Sequence, residues 1–153
     1  MWGRVESTDT ALEHTAIQHV AKLMRRVGRL VLCDMLIDNS DRFKFPGVWE
    51  IGTSNTGNAL VTHSGELVAI DHDLKHADRA ACDEQNRKVA RVLNAYASNG
   101  FEKRIDLGKG DPIKHLVESL STNDGQPFFE GCEAHVRLGM LHGLVIAANC
   151  PQM

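Results

Sequence analysis

Asn39-Ser40-Asp41-Arg42, Gly57-Asn58-Ala59-Leu60-Val61 and Val68-Ala69-Ile70-Asp71-His72-Asp73 are three pieces of one stretch, residues 32–74, whose reading decides the fold. Residues 58–62 and 66–70 are short runs rich in Val, Leu and Ile, and His63-Ser64-Gly65 between them supplies a Gly-containing turn, so the pattern predicts a β-hairpin. Antiparallel pairing brings the start of the first strand and the finish of the second to the same end. Asn58 and Asp71 are therefore expected side by side.

Working outward, Ala16/Ile17, Val20, Leu23/Met24, Val27, Leu30/Val31 and Asp34/Met35 recur at helical spacing behind a capping-box pattern, Thr10-Ala11-Leu12-Glu13. One long helix is expected over about residues 10–37. Gly28 interrupts it at a cost of roughly 1 kcal/mol relative to Ala, yet the pattern continues, which marks close packing or a mild bend. Asp38-Asn39 ends the helix. Residues 38–57 turn to Asn, Ser, Pro, Gly and Thr, with Phe43, Phe45, Val48 and Trp49 as apolar anchors of an ordered loop.

Beyond His76 the chain reads as helical. A helix starting at Asp83 or Glu84 carries Val89, Val92, Leu93 and Tyr96 and stops at Asn99-Gly100. Asp111-Pro112 forms an N-cap with Pro at the first helical position, leading Ile113, Leu116, Val117 and Leu120. A last helix, over about residues 126–149, shows Phe128, Phe129, Cys132, Val136, Met140, Leu144 and Val145, which read as core. The expected fold class is α+β and mostly helical, in a single domain over 1–153.

Seventeen basic and 20 acidic residues leave a net charge of −3 with no basic block, which argues against nucleic acid and polybasic membrane contacts and towards small-molecule or protein partners. Cys33, Cys82, Cys132 and Cys150 are scattered without CxxC spacing, so reduced thiols are expected, Cys33 among the packed ones. With no signal-like apolar run and no bilayer-length segment, a soluble, cytoplasmic protein is expected.

The order Asp41, Asn58, Asp71 suits phosphoryl transfer, which needs a positioned hydroxyl and divalent cations more than covalent help. Mg²⁺ takes hard oxygen ligands and keeps several waters, so one carboxylate and one amide oxygen beside nucleotide phosphates suffice. Asp71 and Asn58 fit that pair. Asp41 would accept or orient the proton of the attacking hydroxyl. Taken singly, each is an ordinary surface or turn residue; the order and the hairpin join them.

The run Cys33-Asp-Met-Leu-Ile-Asp-Asn-Ser-Asp41-Arg42-Phe43, the loop with Val48-Trp49, Asn55-Thr-Gly-Asn58-Ala-Leu-Val and Leu67-Val-Ala-Ile-Asp71 resembles the catalytic core of the atypical kinases. That superfamily holds the actin-fragmin kinase catalytic domain, the phosphatidylinositol 3- and 4-kinases and the HipA-like kinases, and the Asn-Ser-Asp-Arg core with its Trp-containing loop is most similar to the actin-fragmin group. The resemblance implies a kinase C-lobe in which Asp41 is the catalytic aspartate, Arg42 steadies its loop, and Asn58 and Asp71 bind the metal of Mg²⁺–ATP. It implies transfer of the γ-phosphoryl group of ATP to a Ser/Thr hydroxyl of a protein, with actin-related proteins among the candidate substrates.

This chain departs from the kinase pattern in two places. Asp71-His72-Asp73 stands where many kinases have Asp-Phe-Gly, putting a second carboxylate near the metal. The residues ahead of Asn39 are almost all helical, so the N-lobe, with its phosphate-covering loop and lysine, is expected from elsewhere, in cis or in trans. Two other functions fit the same residues: a non-catalytic kinase-like binding module, and a lipid or small-molecule kinase of the same superfamily. His72 and His76 are four apart, but with His63 they lack a third ligand at zinc-site spacing. Asp73, Asp78 and Asp83 read as a solvated polar segment, and Asp34 as a polar contact at the helix end.

Overall fold

The computed structural model describes residues 6–49, 55–71, 78–124 and 131–150. Among them are four helices, α1 (Glu6–Leu36), α2 (Arg79–Asn99), α3 (Pro112–Asp124) and α4 (Cys132–Asn149), and one two-stranded antiparallel sheet, β1 (Ala59–Val61) with β2 (Leu67–Ala69). The chain is α+β and mostly helical, as its periodicities predict. The pairs Phe128-Phe129 and His72/His76, with Asp73, lie outside the described residues.

α1 begins four residues ahead of the expected cap, so Thr10 to Glu13 lies inside the helix. Its buried face carries Met24, Val27, Val31, Leu32 and Met35, which meet Val136 and Met140 of α4, Ile113 and Leu116 of α3, and Val92 and Tyr96 of α2 in one core. The loop after α1 contributes Phe43, Phe45, Val48 and Trp49 to that core, all buried. Burying four large apolar side chains from one irregular segment is what orders it.

Gly28 is a close-packing residue. A Cβ there would stand 2.0 Å from the Val136 carbonyl oxygen, and one on Gly139 would stand 2.0 Å from that of Arg25. The two glycines thus let α1 and α4 touch backbone to backbone, and the absence of both side chains is a condition of the crossing.

α2 starts earlier than the apolar pattern shows. Asp78 accepts a hydrogen bond from the Ala81 amide at 2.9 Å and caps the helix at Arg79. Arg79-Ala-Ala-Cys82 carries no apolar stripe, but alanine is a strong helix former, so propensity and a cap set the boundary there. Asp78 is therefore a cap and not merely a solvated acid. α3 begins as expected: Asp111 accepts from the Lys114 amide at 2.9 Å ahead of Pro112.

The hairpin registers Ala59 with Ala69 and Val61 with Leu67. Its ladder continues past the strand ends, with the Ile70 amide donating to the Asn58 carbonyl at 2.9 Å and the Thr62 amide to Glu66 at 2.9 Å. Residues 58 and 70 are thus opposite each other at the end away from the turn.

Candidate functional site

α1 ends in a Schellman motif that launches the loop. The Asn39 amide donates to the Asp34 carbonyl at 2.8 Å, and Asp38, with φ of 54°, takes the left-handed position between them that glycine usually fills. The Trp49 indole nitrogen donates to the Asp38 carboxylate at 3.1 Å, tying the far side of the loop back to the helix end. Asp41 and Arg42 sit on the segment so clamped.

Arg42 is wholly buried and joins three elements. Its guanidinium pairs with Asp34 of α1 through Nη1, donates from Nε to the Asn58 carbonyl at 3.0 Å and from Nη2 to the Ile70 carbonyl at 3.1 Å. Asp34, also buried, accepts from the Asn39 side-chain amide at 3.1 Å. One planar cation with fixed donors thereby sets the loop and both hairpin strands against the helix.

The sequence places Asp34 only as a polar contact at the helix end and Asn39 only as part of the Asn-Ser-Asp-Arg run; the structure joins both in the buried brace. The signal was present: Asp34 interrupts Leu30-Val31-Leu32-Cys33 and Met35, and an acid on a buried apolar face needs a partner. Cys33 departs from its expected packing, whereas Asp34 makes the polar contact expected of it at the helix end. Cys33 is exposed and Asp34 takes the buried position, because Arg42 neutralises it there.

The brace brings two of the expected site residues together directly. The Asn58 side-chain amide donates to Asp41 Oδ2 at 2.8 Å, and the Asn55 amide donates to the Asp41 carbonyl at 2.9 Å. Asn58 is buried on a short 3₁₀ turn (Thr56–Asn58) ahead of β1, and Asp41 is half-buried. Asp71 is placed through backbone alone. It follows Ile70, whose amide and carbonyl bond Asn58 and Arg42, and no described side-chain bond joins its carboxylate to Asp41 or Asn58.

Asp71 is exposed and has φ of 54°. With Asp38 it makes up the non-glycine positive-φ residues among those described, and backbone held in a sparsely populated region clusters at functional sites.

The donor chemistry fits a hard cation held by few protein ligands. Asn58 gives its nitrogen to Asp41, leaving the amide oxygen as the end that suits Mg²⁺, and Asp71 offers a carboxylate at the same end of the hairpin. No group of three His, Cys, Asp or Glu side chains able to hold a metal stands among the described residues. Such a pair would need phosphate oxygens and water to complete its coordination.

No protein-family model matches the chain, and no curated protein does. No described helix is long and apolar enough to cross a membrane.

Proposed function

We propose that this chain carries the C-lobe half of a kinase-like phosphotransfer site, in which Asp41 orients the acceptor hydroxyl and Asn58 and Asp71 hold Mg²⁺. The reading is supported best by the bond from the Asn58 amide to Asp41, which unites residues 17 apart that the chemistry requires together. Bound Mg²⁺–ATP would supply the transferable phosphoryl group and offset the charge building on its oxygens.

The chain's own residues do the positioning. Asp41 receives the Asn58 amide on Oδ2, which fixes the carboxylate and leaves Oδ1 to accept from a Ser/Thr hydroxyl of a protein substrate. Arg42 does not touch the reacting atoms. It holds the carbonyls of Asn58 and Ile70, so the amide ahead of β1 and the carboxylate after β2 keep their spacing. An N-lobe acting in cis or in trans would complete the nucleotide cleft.

A second reading, a kinase-like module that works by contact, draws on the hairpin surface. Leu60, Val61, Val68 and Ile70 are all exposed. Apolar side chains gathered on one small hairpin suit a partner, whether a completing lobe or another protein.

Water-proton relaxation in Mn²⁺–ATP solutions separates the two readings, because the enhancement rises when the paramagnetic complex tumbles with a protein. A rise with the native chain, lost in Asp71→Asn and in Asn58→Leu, is expected of the phosphotransfer site. No rise with the folded protein contradicts it and favours the contact module.

A further inference from the structure

Arg26 of α1 lies beneath the hairpin turn, bonded to the Gly65 carbonyl and to the Glu66 carboxylate. That pairing engages the acid of the turn. Along the groove between α1 and the turn, Val20, Leu23 and Val61 form an apolar floor, and His19, Lys22 and His63 form the rim. The cavity measures about 370 Å³, and none of its described lining residues is acidic. Leu23 and Val61 also line a second cavity of about 280 Å³, which runs on towards Phe43 and Leu120.

We propose that this groove docks an acidic peptide segment of a partner protein, with carboxylates on the Lys22 rim and two apolar side chains in the paired cavities. Charge complementarity selects the occupant. The whole chain carries −3 with its histidines neutral, so a groove whose lining carries the Lys22 charge, an Arg26 engaged by Glu66 and no acid runs against the net charge and favours acids locally. Two adjoining apolar cavities match the anchor side chains that linear peptides use, and the Lys22 stem adds apolar cover below its charge.

The second cavity reaches Thr56, Gly57 and Ala59 beside Asn58, whereas the Lys22 groove is separate from the candidate catalytic residues. It lies at the turn end of the hairpin, while Asn58 and Asp71 lie at the other, on the order of 13 Å away for four residues of strand. The proposal therefore holds whether or not the phosphotransfer reading does.

The test uses fluorescence anisotropy with a labelled peptide of about 12 residues, two Leu three positions apart flanked by Glu, and a twin with every Glu changed to Lys. The Glu peptide is expected to bind and the Lys peptide to fail. Lys22→Glu, an exposed change checked by circular dichroism, should weaken the Glu peptide by about tenfold or more and admit the Lys peptide. Val61→Asp, also at an exposed position, should weaken the Glu peptide. The proposal is overturned by an unbound Glu peptide, by equal binding of the twin, or by indifference to Lys22→Glu. Concentration-dependent dimerisation lost in Lys22→Glu would also overturn it, since a second copy would then own the groove.

Discussion

Asp34 and Arg42 form an ion pair from which solvent is excluded, with side-chain exposures of 1% and 0%. The pair links the end of α1 to a loop residue whose other nitrogens hold both hairpin strands. Removing one partner leaves a buried charge uncompensated. Arg42→Met is expected to cost about 3–5 kcal/mol in denaturant unfolding, whereas Asp34→Leu/Arg42→Met should cost much less than the two single changes summed. Additive losses would show that the pair is not coupled.

Gly28→Ala tests the helix crossing. Alanine improves helix propensity by roughly 1 kcal/mol, but its methyl would meet the Val136 carbonyl, which cannot move aside as a side chain does. A net loss of about 2 kcal/mol or more is expected in urea, with a similar loss for Gly139→Ala. A neutral or stabilising Gly28→Ala would mean that α1 and α4 are farther apart.

Acid should loosen the same crossing. Burial, and then the nearby Arg25 charge, hold His135 below its ordinary value of 6.5, and Arg25 Nε donates to its Nδ1 at 3.3 Å. Below 6.5 the unfolded chain takes up this proton more readily than the folded one, so the contribution is full above 6.5 and lost as pH falls through the lowered folded value. Glu133, held below 4.5 chiefly by its hydrogen bonds from Arg104, contributes stability above 4.5 that is lost as pH falls through its own lowered value. Denaturation midpoints measured from pH 7 down to about 2 should fall in these two windows, and His135→Gln should flatten only the upper one.

Asp111 anchors a second buried polar group. It accepts from the amides of Ile105 and Lys114 and from the Tyr96 hydroxyl, and Arg137 faces it at 4.0 Å. Burial and the Asp111 charge push the Tyr96 phenol up. Asp111→Ala removes a helix cap and leaves buried donors without an acceptor, for an expected loss of about 3 kcal/mol or more. Asp111→Asn should recover part of it, and equal losses in the two variants would contradict the assigned contacts.

The helices and hairpin were legible because their apolar periods are long or their turn chemistry distinctive. The start of α2 was hidden, since Arg79-Ala-Ala-Cys82 shows propensity without a stripe and Asp78 caps it alone. Gly28 announced a close approach, but its reciprocal partner Gly139 did not, because only the crossing of two helices pairs them. Among the candidate residues, the approach of Asn58 to Asp41 and the place of Asp71 at the same hairpin end were readable from order and hairpin geometry. Of the buried brace beneath them only the polar contact of Asp34 at the helix end was readable; its partner Arg42 and the exposure of Cys33 are set by tertiary packing.

We propose the hairpin end formed by Asn58 and Asp71 as a preformed Mg²⁺–nucleotide site set by the loop that carries Asp41. Calorimetric titration of ATP into the chain, with Mg²⁺ and then with EDTA, beside Asp71→Asn, tests it most directly. Heat that needs Mg²⁺ and vanishes in Asp71→Asn is the predicted result. Binding that persists unchanged in EDTA or in the variant, or no heat from the folded native chain, would contradict the claim.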